Sequence, residues 1–136
     1  MQNKLQRVID ANLNRSREAL RVCEDITRFV LEDKPLTKLL KDIRHRISGV
    51  FPDSIVKSRS IKTDIGRKIS FDKGSPRDFK SLFYNNIHRA QESIRALEEF
   101  SKLIQGNFSG RFKILRFKVY SVEKRVVKKL QALCGS

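Results

Sequence analysis

Residues 12–28, NLNRSREALRVCEDITR, lie without a gap on residues 86–102, NIHRAQESIRALEEFSK, at an offset of 74 positions. Asn12, Arg15, Glu18, Arg21 and Glu24 recur as Asn86, Arg89, Glu92, Arg95 and Glu98. A second match at an offset of 72 sets LKDIRHRI (residues 40–47) on FKILRFKV (residues 112–119) and Arg44 on Arg116. Two matched segments at nearly the same offset describe a duplicated unit, and its internal period fixes what the unit is.

Around the first copy, Leu5, Val8, Ile9, Asn12, Leu13, Ser16, Ala19, Leu20, Cys23, Ile26 and Val30 recur at steps of three and four. That is one face of a helix, expected over about residues 4–32. Asp33-Lys34-Pro35 ends it and opens a second helix, since proline suits a first turn where its missing N–H is not needed. Leu36, Leu40, Ile43, Ile47 and Val50 point inward from that helix. Ser75-Pro76-Arg77-Asp78 starts a third, with Ser75 as cap and Asp78 near the positive end of the dipole, running to about residue 105. Gly106-Asn107 stops it, and Phe112, Leu115, Val119, Val122, Val126, Leu130 and Leu133 give a fourth. The expected fold is all-α: a four-helix bundle of two duplicated antiparallel hairpins, at about 4–50 and 76–133, joined by a long loop at 51–74. At 136 residues the chain is the size of a single domain.

Lys and Arg exceed Asp and Glu by 30 to 15, a formal charge of +15. Such a field draws polyanions and small phosphorylated ligands alike. Helix 4 carries Arg111, Lys113, Arg116, Lys118, Lys124, Arg125, Lys128 and Lys129 against Glu123 alone, which keeps a nucleic-acid backbone among the candidate partners. Phe117 and Ile114 fall off its apolar stripe, as at a protein contact. The start, Met1-Gln2-Asn3-Lys4, leads into an amphipathic pattern with no apolar signal core, and no run is long enough for a membrane span, so a cytoplasmic protein is expected. Cys23 and Cys134 make no disulfide framework, and His45 and His88 join no ligand cluster, which argues against a transition-metal site.

Polar residues inside an apolar arc need partners or a ligand, because an unpaired buried amide costs about 1–3 kcal/mol and a charge more. Asn12 projects to the middle of the arc and Arg15 inside its border, with Glu18 one turn on to pair with Arg15, and Arg21 within reach of Glu18 or Asp25. Two readings stay open. The repeated polar set is either a buried network that fixes how the hairpins dock, or the lining of a cleft in which guanidinium groups grip phosphate.

With the repeat established, RVIDANLNRSREALRVCEDITRFVLED (residues 7–33) resembles the opening of the hydroxymethylpyrimidine-phosphate kinases, small helical domains found alone or fused in front of thiamin-phosphate synthase. The likeness extends over IRHRI, SRSIKTDIG and HRAQESIRALEEFSK. The family loop reads R-D-T-x-x-D-V-G, whereas residues 59–66 here, RSIKTDIG, keep Arg59, Asp64 and Gly66 but lack the first acid and its threonine. The resemblance implies ATP-dependent phosphorylation of the pyrimidine monophosphate, with ATP and Mg²⁺ as cofactors and thiamin-phosphate synthase as a candidate partner. The synthase is a (β/α)₈ barrel of over 200 residues, too large for this chain. A non-catalytic module that binds a phosphorylated intermediate or docks on the synthase is the alternative, and a homo-oligomer is left open.

Phosphoryl transfer to a phosphate acceptor needs cations around it. On polarity and position, Arg15, Arg59 and Arg89 are the expected phosphate contacts and Asn12 and Asn86 the contacts to the pyrimidine or a phosphate edge. Asp64, Glu18 and Glu92 are the candidate metal or acid/base carboxylates. The low apolar content around Arg59, Asp64 and Gly66 leads us to expect a segment that closes over bound phosphates.

Overall fold

The structure, a computed structural model, describes residues 3–53, 55 and 78–134. Four helices account for most of them: α1 (Asn3–Asp25), α2 (Lys34–Ser48), α3 (Phe79–Phe100) and α4 (Phe108–Cys134), with no strand among the described residues. The bundle expected from the periodicity is the fold observed. None of the helices is long and apolar enough to cross a membrane, among the described residues.

Side-chain pairs fix the packing order. Glu24 on α1 meets Arg44 on α2, and Glu98 on α3 meets Arg116 on α4, so each hairpin is antiparallel. At one end of the bundle Lys129, late in α4, pairs with Asp33 at the start of α2. At the other, Arg111, early in α4, donates to the Val50 carbonyl just past α2 at 3.1 Å. Helices α2 and α4 therefore run antiparallel, and so must α1 and α3, whose contact is the most extensive in the bundle. With α1 antiparallel to α3 and α2 to α4, the order of the helices is that of two hairpins related by a pseudo-two-fold axis perpendicular to them.

The core follows the apolar stripes. Ile9, Leu13, Leu20, Cys23 and Ile26 from the first helix meet Leu36, Leu40, Ile43 and Ile47 from the second, with Phe83, Ile87, Ile94, Leu97, Phe112, Val119 and Leu130 completing it. Phe51 closes one end against Phe108 and Phe112, with ring centroids 4.9 and 5.4 Å apart. Leu133, expected inside, is 60% exposed. It lies one turn beyond Lys129, which already pairs with the cap of α2, so α4 outruns the helix that would cover it.

Helix ends depart from expectation in two places. The first helix is not uniform to residue 32: after Asp25 it widens into a π turn, Ile26–Val30, in which the Leu31 N–H bonds the Ile26 carbonyl at 3.0 Å. Thr27 sits in that turn. Its hydroxyl donates back to the Glu24 carbonyl at 3.0 Å and meets the Thr37 hydroxyl at 2.8 Å, a side-chain competition that loosens the regular ladder. The third helix begins at Phe79, not residue 76, because Asp78 is its cap and accepts from the Ser81 N–H at 2.7 Å. Ser75 lies outside the described residues. Between α3 and α4, Gly106 has φ +131°, a conformation that side chains resist, and a Cβ there would fall 2.8 Å from the Phe108 ring.

Asp33 caps α2 by accepting from the Leu36 N–H at 2.9 Å, and its carboxyl is held below the usual carboxylate range first by the Lys129 ammonium and then by that N–H. A carboxyl depressed by folding stabilises fully above its unfolded pKa of about 4 and loses that contribution as the pH falls through the lower folded value. Asp33→Ala is therefore expected to cost about 1 kcal/mol at pH 7, with the gap to wild type shrinking below about pH 4. Urea melts at the two pH values measure it, and a constant gap would remove the charge from the explanation.

Candidate phosphate-ligand site on the duplicated hairpins

Asn12 and Asn86 occupy the same place in their helices. Both are buried, and each donates from Nδ2 to the carbonyl four residues back, Val8 and Leu82, at 2.9 Å in both copies. One amide hydrogen is thus spent within the helix and the side chain is held in one orientation. Such an Asn presents a fixed polar edge in an otherwise apolar face.

The expectation for Arg15 is corrected by the structure. It is exposed, as are Glu18, Arg89 and Glu92, so these side chains flank the buried asparagines from the solvent side. No ion pair joins Arg15 to Glu18 among the described residues, because a pair in water gains little over its hydration. Nor does Arg21 pair with Glu18 or Asp25 there. Arg59 and Asp64 lie outside the described residues, as does the rest of the 56–74 segment.

The polar network that the repeat does build involves its last glutamate. Glu24 and Glu98 are buried, and each receives a two-pronged guanidinium from the second helix of its own hairpin. Arg44 gives Nε and Nη2 to Glu24, the latter at 3.1 Å, and Arg116 gives Nε and Nη2 to Glu98 at 3.0 and 3.2 Å. Both arginines have raised pKa values, caused first by the hydrogen bonds to these carboxylates. The repeat's buried ion pairs, Glu24/Arg44 and Glu98/Arg116, each join the two helices of one hairpin, while Arg15, Glu18, Arg89 and Glu92 are exposed. The match of Arg44 to Arg116 is the signal in the sequence. Their partners escape a sequence reading because the two residues of each pair are 20 and 18 positions apart, out of reach within one helix.

Residues 7–125 match the sequence model of the ThiD2 family. The chain belongs to the ThiD2 family. It is similar to proteins named thiamine-phosphate synthase: 33% identical over 133 residues to that of Synechocystis, covering 93% of this chain and 39% of the relative. The Synechococcus strain CC9605 protein is 38% identical over 124 residues, covering 88% and 34%, and that of Prochlorococcus marinus strain MIT 9313 is 36% identical over 133 residues, covering 97% and 37%. The chain thus spans between a third and two fifths of these relatives. No solved structure matches it.

In this ThiD2-family bundle the two hairpins have diverged at equivalent ends. On the second, Phe100, Leu103, Ile114 and Phe117 are exposed, and Arg116 and Lys113 lie over the Phe117 ring at 5.1 and 5.9 Å. On the first, the equivalent end is an open groove of about 830 Å³ between the end of the first helix and α2. No group of three or more His, Cys, Asp or Glu side chains suited to a metal occurs among the described residues.

Proposed function

We propose that this domain is an ATP-dependent kinase that converts hydroxymethylpyrimidine phosphate to the diphosphate in thiamin biosynthesis. One observation carries the reading: a segment a third as long as proteins named for the synthase is a helical bundle with no strand among its described residues. A (β/α)₈ barrel cannot be built from it. Its contribution is then a neighbouring step, and the step that supplies the synthase's pyrimidine diphosphate is phosphorylation of the monophosphate.

In that reaction an oxygen of the acceptor monophosphate attacks the γ-phosphorus of ATP, and the bond from that phosphorus to the β,γ-bridging oxygen breaks to leave ADP. The acceptor oxygen is already ionised at neutral pH, so what the site must supply is charge neutralisation and alignment rather than a strong base. Arg15 and Arg89 hold the acceptor phosphate, and Asn12 and Asn86 orient the pyrimidine. Mg²⁺, if bound, would supply charge neutralisation for the transferring phosphates, and Glu18 and Glu92 are the carboxylates that would hold it beside phosphate and water.

The test is purified protein with Mg-ATP and the pyrimidine monophosphate, with ADP and diphosphate resolved by chromatography. Stoichiometric ADP and diphosphate are expected, and no turnover over a range of pH and Mg²⁺ would sink the reading. A second reading has an observation of its own. The exposed strip of Phe100, Leu103, Ile114 and Phe117 favours docking on another protein, the synthase being the first candidate, and binding without turnover would promote it.

A further inference from the structure

The groove on the first hairpin is lined by Arg21, Arg28, Lys34, Lys38, Lys41 and Arg44, together with five carboxylates and Phe29. Two of the carboxylates are already neutralised, Glu24 by Arg44 and Asp33 by Lys129. What remains is five cations facing Asp25, Glu32 and Asp42, a cationic excess inside a groove whose volume falls in the usual range for small-molecule sites.

Comparison with the other hairpin shows that this arrangement is not simply what the repeat imposes. Arg95, Glu99 and Lys102 stand where Arg21, Asp25 and Arg28 stand in the first copy. There they satisfy one another: Arg95 meets Glu99 at 3.5 Å and Lys102 meets it at 2.8 Å. In the first copy Arg21, Asp25 and Arg28 make no such pairs among the described residues and line the groove instead. Lys38 and Asp42, both in the groove, are replaced in the second copy by Gly110 and Ile114. Phe29 is 66% exposed at the groove wall, with the Arg28 guanidinium 5.0 Å from its ring centroid. An exposed aromatic beside unspent cations is suited to a flat base carrying phosphates. The wall is also the π turn, an irregularity that is frequent at functional sites.

We propose that this groove binds the nucleoside triphosphate, its base against Phe29 and Arg28 and its phosphates along Lys38, Lys41 and Arg21. The choice of ligand rests on the kinase reading above. It separates donor from acceptor along α1: the triphosphate at its C-terminal end, the pyrimidine phosphate beside Asn12 and Arg15.

Titration of a non-hydrolysable ATP analogue with Mg²⁺, and separately of inorganic tripolyphosphate, reads it by calorimetry. Deleting one charge-assisted hydrogen bond to phosphate weakens binding roughly tenfold or more. The double variant Lys38→Glu/Lys41→Glu is expected to weaken both ligands by at least about thirtyfold, whereas Lys118→Glu/Lys124→Glu, the same charge change on α4, weakens them less than about threefold. Phe29→Ser is expected to weaken the ATP analogue several-fold and leave tripolyphosphate unchanged. Equal effects of the two double variants would reduce the site to the general field of the protein and overturn the proposal. A wild-type protein that turns over ATP normally while the groove variants bind and react as it does would overturn the groove alone. A wild-type protein that binds no nucleotide at all would overturn the kinase reading and the groove with it.

Discussion

Arg116→Met is expected to lower the melting temperature by about 10–17 °C, because removing one partner of a buried ion pair costs about 3–5 kcal/mol. The change removes the guanidinium that holds both oxygens of the Glu98 carboxylate, which is only 7% exposed, and leaves it only the more distant, exposed Arg95, whose Nε lies 3.8 Å from Oε2. A domain of 136 residues unfolds with an entropy near 0.3 kcal/mol per degree, which converts the energy into the temperature. The double variant Arg116→Met/Glu98→Leu is expected to recover most of the loss, since an apolar pair of similar volume avoids both the stranded charge and the desolvation of two ions. Arg44→Met should follow the same course with a smaller loss, because Arg44 and Glu24 border the open groove and water can reach the freed carboxylate. Thermal melts of the four proteins decide it. If Arg116→Met melted within a few degrees of wild type, the pair would not be what holds the second hairpin closed.

These two ion pairs also show where sequence reading reaches and where it stops. The stripe Leu36, Leu40, Ile43, Ile47, Val50 is legible because a helical period leaves one answer for which side faces the core, and all five are buried. The repeat is legible as spacing, and Asn12, expected inside the apolar arc, is buried, as is its copy Asn86; that Glu24 and Glu98 are its buried carboxylates is not legible there. Pairing is not legible, since it depends on how far along each hairpin the returning helix has come when it passes the glutamate. Projection likewise places Arg15 inside the apolar border, but a border in projection becomes a burial only where a neighbouring helix covers it, and at Arg15 none of the described helices does. The π turn leaves no signal beyond a mid-helix threonine. Ser75 and Asp78 are both good caps, and only the N–H at Ser81 chooses between them.

Exposure of Arg15 sharpens what its removal should do. Arg15→Met keeps the length of the side chain and deletes a charge that makes no ion pair among the described residues, so the stability change is expected to stay within about 0.5 kcal/mol, and slight relief of the +15 field is as reasonable as slight loss. If the same side chain grips the acceptor phosphate with two charge-assisted hydrogen bonds, the loss falls on turnover instead. Two such bonds at about 1.5–3 kcal/mol each correspond to a drop in kcat/KM of at least about a hundredfold. Arg89→Met, at the equivalent exposed position, tests whether the pseudo-two-fold site is used symmetrically. A symmetric drop would place one phosphate between the copies, while a rise in KM for one substrate only would assign each arginine its own ligand. Lys in place of Arg is expected to restore less than half of the lost free energy, since a point charge cannot reproduce the planar fork. A variant pair that melts several degrees lower but turns over substrate normally per folded molecule would mean that Arg15 and Arg89 belong to the architecture, as Arg44 and Arg116 do, and not to the site.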